Sequence, residues 1–181
     1  MTTWNGASTA MIKSITKVVC DAGPIIHLDE INCLDLLNDF EEIIPPDLVC
    51  KEIKRHRPSA LKKHDLPFTT LTQKISPREP LATICRIYSL DAGEIEALAF
   101  MNENPQAMLL TDDASARLAA EQMGFRVHGT IGILIRSMRR GHRKPEEVLP
   151  ILSDIPLKST LHIKDSLLNE ITLKIKNEFG L

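Results

Sequence analysis

An α/β fold with a central parallel sheet flanked by helices is predicted by three observations. Short apolar runs alternate with segments of helical periodicity. Acidic residues, Gly or Pro stand directly after those runs, where a strand gives way to a helix. No Asn-Gly or similar hairpin signal joins neighbouring runs, so consecutive strands need crossover helices and the sheet is covered on both faces.

The elements follow in order. Lys17 to Asp21 (KVVCD) reads as a buried strand, and Asp21-Ala22-Gly23-Pro24 as the start of a helix with proline in its first turn, carrying Ile25, Ile26, Leu28 and Ile31. A second apolar segment follows at Leu34, Leu36 and Leu37. Glu42-Ile43-Ile44 is a strand stopped by Pro45-Pro46, and Asp47 to Arg55 sets Leu48, Val49 and Ile53 at helical spacing. Residues 56 to 66 read as a basic loop, and Phe68 to Leu71 as a short strand. Glu79 to Tyr88 and Asp91 to Asn102 are predicted helices, Ala107 to Leu110 a buried strand. A helix from Ala114 to Met123 ends at Gly124, suited to a left-handed turn; Phe125 to Val127 is the next strand. Gly129-Thr130 opens a helix that ends at Gly141.

These readings divide the chain into a loosely ordered N-terminal arm (1–16), a main domain (17–152) and a C-terminal helical appendage (153–181). In the last, Leu167, Leu168, Ile171, Ile175 and Phe179 line one side of a final helix. With 43% hydrophobic residues among 181, one core can be filled. Lys and Arg number 22 against 24 Asp and Glu, so a nucleic-acid surface would have to be a local patch. Cys20, Cys33, Cys50 and Cys85 form no C-x-x-C pair, which fits a reduced, cytoplasmic chain. The first sixteen residues do not read as a signal peptide, and no stretch approaches the ~18 apolar residues of a membrane span.

Ligands of open parallel sheets bind beyond the carboxyl ends of the strands. Asp21 and the pair Asp112-Asp113 stand there; Glu94 lies in the first turn of the helix after Asp91, and Glu52 on the helix after the second strand. If these ends converge, the carboxylates repel one another, and a divalent cation relieves the repulsion. Hard oxygen donors without paired His or Cys suit Mg²⁺ or Mn²⁺, which activate water and bind phosphate oxygens. Structural readings stand beside these: Asp91 and Glu94 fit a capping box, one of Asp112 and Asp113 must cap the next helix, Asp21 fits a cap of its own helix, and Glu52 fits a solvated helix position.

Five segments in order, VVCDAGPIIHL, IIPPDLVCKEI, LDAGEIEALAF, LLTDDASARLAAEQMGFRV and GTIGILIRSMRRG, resemble the PIN-domain family of metal-dependent ribonucleases, especially a prokaryotic PIN-like subfamily, over roughly residues 17 to 150. The resemblance implies a PIN-like sheet and a divalent-metal-dependent endoribonuclease, with Asp21, Glu52, Glu94 and Asp113 as the acidic catalytic set. Asp112 is the rival of Asp113 as metal ligand, and Thr111 the supporting hydroxyl. It implies RNA as substrate, a toxin of a toxin–antitoxin pair as setting, and an antitoxin protein or a second copy as partner. The alternative is a non-catalytic PIN-like module that binds RNA or protein. The family often carries a hydroxyl or amide residue two positions after its first Asp, where this chain has Gly23.

Two basic runs, Lys54 to Lys63 and Arg136 to Lys144, are candidate phosphate tracks; in the second, Arg136, Arg139, Arg140, Arg143 and Lys144 are expected to bind RNA. The competing reading is that Arg139 and Arg140 complement a helix C-terminus. At 4% aromatic residues a base-stacking platform is not expected. The six histidines lack zinc-site spacing. Gly23 excludes a haloacid-dehalogenase site, which needs a second Asp there, and the late acidic pair disfavours a receiver domain.

Overall fold

The computed structural model describes residues 15–62, 65–69 and 75–181. Four strands, β1 (Lys17–Cys20), β2 (Glu42–Ile44), β3 (Met108–Leu110) and β4 (Arg126–His128), form one parallel sheet in the order β2-β1-β3-β4. Around it stand α1 (Ala22–Glu30), α2 (Asp47–His56), α3 (Leu81–Ile87), α4 (Ala92–Glu103), α5 (Ala114–Gln122), α6 (Thr130–Arg139), α7 (Pro145–Lys158) and α8 (Asp165–Phe179), with a 3-10 helix at Leu34–Asp39.

Side chains alternate across a strand, and the sheet shows it. Val18, Cys20, Ile43, Met108 and Leu110 face a core completed by α1, α2, α6, α7 and α8; Val19, Ile44 and Leu109 face a second core completed by α3, α4 and α5. The α5 layer lies close because Ala116, Ala119 and Ala120 present only methyl groups to the sheet. Asp29, buried at the end of α1, is held by Arg57 Nε at 2.6 Å, which ties α1 to the end of α2.

The predicted strands and helices stand within a few residues of their expected limits, and Gly124 has the left-handed φ of +74°. Three expectations need correction. The expected strand from Phe68 is reduced to a single parallel bridge between Ile43 and Phe68; its last two residues lie outside the described ones. The boundary at 152/153 falls inside α7, which continues through Pro150 and Pro156 to Lys158. Leu152, Ile155, Leu168 and Ile175 are buried in the same core as α1 and α6, so residues 153–181 are a structural layer and no appendage; of the predicted final stripe, Leu167 and Phe179 are exposed. The proposed arm of 1–16 lies outside the described residues except for its end, where Ile15 packs on the core and the Thr16 carbonyl accepts from Glu41 and Glu42 N–H.

Candidate functional site

The chain crosses from β1 to β2 on one side and later returns to β3 on the other, so β1 and β3 are adjacent strands whose crossovers diverge. Such a switch point leaves a crevice beyond the strand ends. Asp21 follows β1, and Thr111, Asp112 and Asp113 follow β3. The Asp21 N–H donates to the Leu110 carbonyl at 2.8 Å, which sets the two strand ends side by side.

Three carboxylates cap helices that start at this edge. Asp21 caps α1, accepting from Ala22 N–H at 2.7 Å; Asp91 caps α4, and Asp113 caps α5, accepting from Ala116 N–H at 2.8 Å. Asp91 and Glu94 form the full capping box, with Glu94 accepting from Asp91 N–H at 2.8 Å. Thr111, 1% exposed, joins two of these groups: its hydroxyl donates to Asp21 Oδ2 at 3.2 Å and accepts from Asp113 N–H at 3.1 Å.

Asp112 and Asp113 part company completely. Asp113 is exposed at the crevice. Asp112 turns inward, where Oδ1 accepts from Thr130 N–H at 2.8 Å and Oδ2 accepts from the Thr130 hydroxyl at 2.6 Å and His27 Nδ1 at 2.8 Å. It therefore holds the start of α6 against the β3 loop. Gly129 makes this approach possible, since a Cβ there would sit 2.4 Å from Asp112 Oδ1. Neither His27 nor Thr130 was marked by spacing, because they lie 85 and 18 residues from Asp112.

The electrostatics show which acids feel one another. Burial, reinforced by the charges of Glu52 and Asp91, pushes the Asp21 carboxyl up to about 6 against the opposing bonds from Ala22 and Thr111. Burial, with the charges of Asp91, Asp113 and Asp21, pushes Glu94 up to about 7. Asp21, Glu52, Glu94 and Asp113 thus share one electrostatic environment, with Asp91 as a fifth member. Glu96, which the sequence reading did not single out, has one buried carboxylate oxygen without a hydrogen-bond partner in the described structure.

The donor chemistry suits a hard divalent cation: carboxylate oxygens, destabilised as anions by burial and by each other. Among the described residues, however, no three His, Cys, Asp or Glu side chains are gathered closely enough to hold an ion as they stand. Glu94 is folded back onto its own helix start, and Asp21 and Asp113 are engaged as caps.

The arginines expected to bind RNA are each paired with an acid of the fold. Arg136, Arg140 and His142 converge on Asp39, Arg139 pairs with Glu178, and Arg143 with Asp35. Lys144 precedes α7, its N–H donating to Glu147 at 2.7 Å. These residues lie from the middle of α6 onward, and Arg136, Arg139 and Arg140 line a pocket with His128, at the carboxyl end of β4. The run fastens α6 to the 3-10 helix and α8. Among the described residues no helix is long and apolar enough to cross a membrane.

A search of solved structures gives a PilT N-terminus domain protein from the archaeon Sulfolobus solfataricus, 18% identical, covering 67% of this chain and 93% of that one, with a TM-score of 0.48. A search of curated proteins gives no match. A family model described as a PIN domain matches residues 17–177, from the first residue of β1 to within two residues of the end of α8. With the whole described sheet and every helix but the last two residues of α8 inside that match, the chain belongs to the PIN-domain family.

Proposed function

We propose that this protein is a divalent-metal-dependent ribonuclease that hydrolyses RNA phosphodiester bonds at the crevice beyond β1 and β3. Membership of the PIN-domain family suggests nuclease-type function in general. The observation that carries the finer reading is the convergence of Asp21, Glu52, Glu94 and Asp113 on one electrostatic environment at the switch point of the sheet.

In this reading Asp21, Glu94 and Asp113 hold Mg²⁺ or Mn²⁺, which supplies a nucleophilic water and charge for the phosphate. Glu52, exposed on α2, orients water at the rim. Thr111 keeps the Asp21 and Asp113 strand ends in register, and Asp112 fixes the α6 start without touching the ion. The finer setting, a toxin restrained by an antitoxin partner, is tested by growth arrest on expression and rescue by a co-expressed neighbouring gene.

One observation favours a second reading, a PIN-like module that binds RNA without cutting it: the acidic side chains are already engaged as helix caps and do not enclose an ion as they stand. A single experiment separates the two. Cleavage of single-stranded and structured RNA is followed with Mn²⁺, Mg²⁺ or EDTA, for the parent and Asp21→Asn. Metal-dependent cleavage lost in the variant supports the enzyme; RNA binding with no cleavage under any metal assigns the module.

A further inference from the structure

Beside the acidic crevice, between α1 and α2, lies a cavity of about 410 Å³ that shares only Glu52 with the chemistry above. Gly23 and His27 line it from successive turns of α1, and Glu52 and His56 from successive turns of α2; Arg57 and Thr160 line it as well. It is therefore a groove between two helices. Gly23 stands two residues after Asp21, and Glu52 is itself one of the acids that raise the Asp21 carboxyl, so the groove begins where the acidic cluster ends.

Its walls are unusually well prepared on one side. His27 Nδ1 donates to Asp112 Oδ2 at 2.8 Å, and with the Thr130 N–H and hydroxyl on the same carboxylate, the acceptor that orients the ring is itself pinned. That leaves Nε2 as the ring's second polar atom, on the side away from Asp112. Arg57, anchored through Nε on buried Asp29, brings a cation to the groove from the end of α2, and Glu30 and Glu52 bring carboxylates. Gly23 borders the groove without a side chain: a Cβ there would lie 3.5 Å from His27 Cε1 and 3.7 Å from Asp112 Cβ, at ordinary contact distances. The volume falls in the ~300–1,000 Å³ range of small-ligand sites.

We infer that this groove seats one nucleotide of a single-stranded RNA substrate next to the acidic cluster, with His27, held by Asp112, as a fixed hydrogen-bonding wall and His56 opposite it. The inference rests on the ribonuclease reading for its substrate class. It assigns Asp112 a positioning role toward substrate through His27, and Gly23 the role of leaving the strand a way in.

The test is a titration of the full-length chain in EDTA, without metal, with uridine and adenosine 5′-monophosphates, and separately with inorganic phosphate. The imidazole resonances of His27 and His56 are followed by NMR and assigned through His27→Gln and His56→Ala. Both rings are expected to shift with the nucleotides and not with phosphate alone. Each substitution should weaken nucleotide affinity about fivefold, the worth of one hydrogen bond. Gly23→Val should remove binding while keeping a cooperative melt. His56 is exposed, so its variant reports even if one of the others fails to fold. Silent rings at millimolar nucleotide, equal shifts with inorganic phosphate, or undiminished binding in His56→Ala and Gly23→Val would overturn the groove. Because no metal is present, the outcome is independent of cleavage: an active nuclease with a silent groove loses only this inference, and an inactive chain with a responsive groove loses only the chemistry.

Discussion

Asp112 and Asp113 are neighbours with opposite duties, and substitution by asparagine should separate them. In Asp113→Asn the amide still offers one oxygen to Ala116 N–H, so the cap survives while a negative charge leaves the crevice. We expect metal-dependent cleavage to fall to background and the metal-free melting temperature to hold or rise, read by single-turnover kinetics and calorimetry. Asp112→Asn has only one acceptor oxygen for three donors, and leaves part of the Thr130 and His27 set unpaired. Its cost should be about 1–3 kcal/mol, seen in chemical denaturation, with residual cleavage by the fraction that folds. Full cleavage in Asp113→Asn would remove it from the metal site. The sequence showed the pair and its place after β3, but not which acid was which, because that depends on a histidine and a threonine distant in the chain.

The pH dependence belongs to the same residues. Asp21 and Glu94 have folded values raised to about 6 and about 7, from 3.8 and 4.5. Between the ordinary and the raised values the folded chain holds protons that the unfolded chain has released, so stability falls as pH rises. Without metal, the melting temperature should therefore decrease from pH 4.5 to pH 7.5 through these groups, and Asp21→Asn should flatten part of that slope. Millimolar Mn²⁺ should raise the melting temperature at pH 7.5 and lose its effect toward pH 5, as protonation competes with binding. A metal effect equal at both pH values would place the ion elsewhere.

At the scale of elements, the helix starts were legible and the interior of α7 was not. Asp21, Asp91 and Asp113 announce α1, α4 and α5 because a capping side chain acts on N–H groups only one to three residues away. Pro150 and Pro156 instead argue against a continuous helix on local grounds, and only the burial of Val148, Leu152 and Ile155 against the sheet overrides them. The basic run after β4 posed the same difficulty. Its charge was visible, but Asp35, Asp39 and Glu178, which absorb it, lie far off in sequence. Replacing Arg139, Arg140 and Arg143 together by Ala should lower the melting temperature by several degrees, since Asp39 is only 8% exposed and loses a cation. RNA affinity and its salt dependence, measured by fluorescence anisotropy, should stay as in the parent. A lowered salt slope at unchanged stability would return the RNA path to α6.

For the whole molecule, the sheet has one helical layer made from α3, α4 and α5, and another made from both ends of the chain. α1 and α2 come early, α7 and α8 last, and they share a single core. Ending the chain after residue 152 should abolish cooperative unfolding, and Leu152→Ala or Ile175→Ala should each cost about 2–5 kcal/mol by urea denaturation. A truncated chain that melts cooperatively near the parent temperature would restore the separate-appendage view. The parallel α/β class was legible because buried strands announce themselves as short apolar runs. The extent of the domain was not, because a helix stripe such as Leu168, Ile171 and Ile175 does not say which core it joins.

The helix caps at the crevice also bear on how such a chain can lose its chemistry. Asp21 and Asp113 each serve a helix start, and that service needs an oxygen acceptor but no charge. A single-base codon change from Asp to Asn therefore preserves the architecture while emptying the crevice of the charge an ion requires. A change to Ala damages both at once and is removed by instability. Drift away from catalysis in chains built this way should run through asparagine, leaving folded, silent descendants whose ancestry stays visible in the polar residue at the end of each central strand.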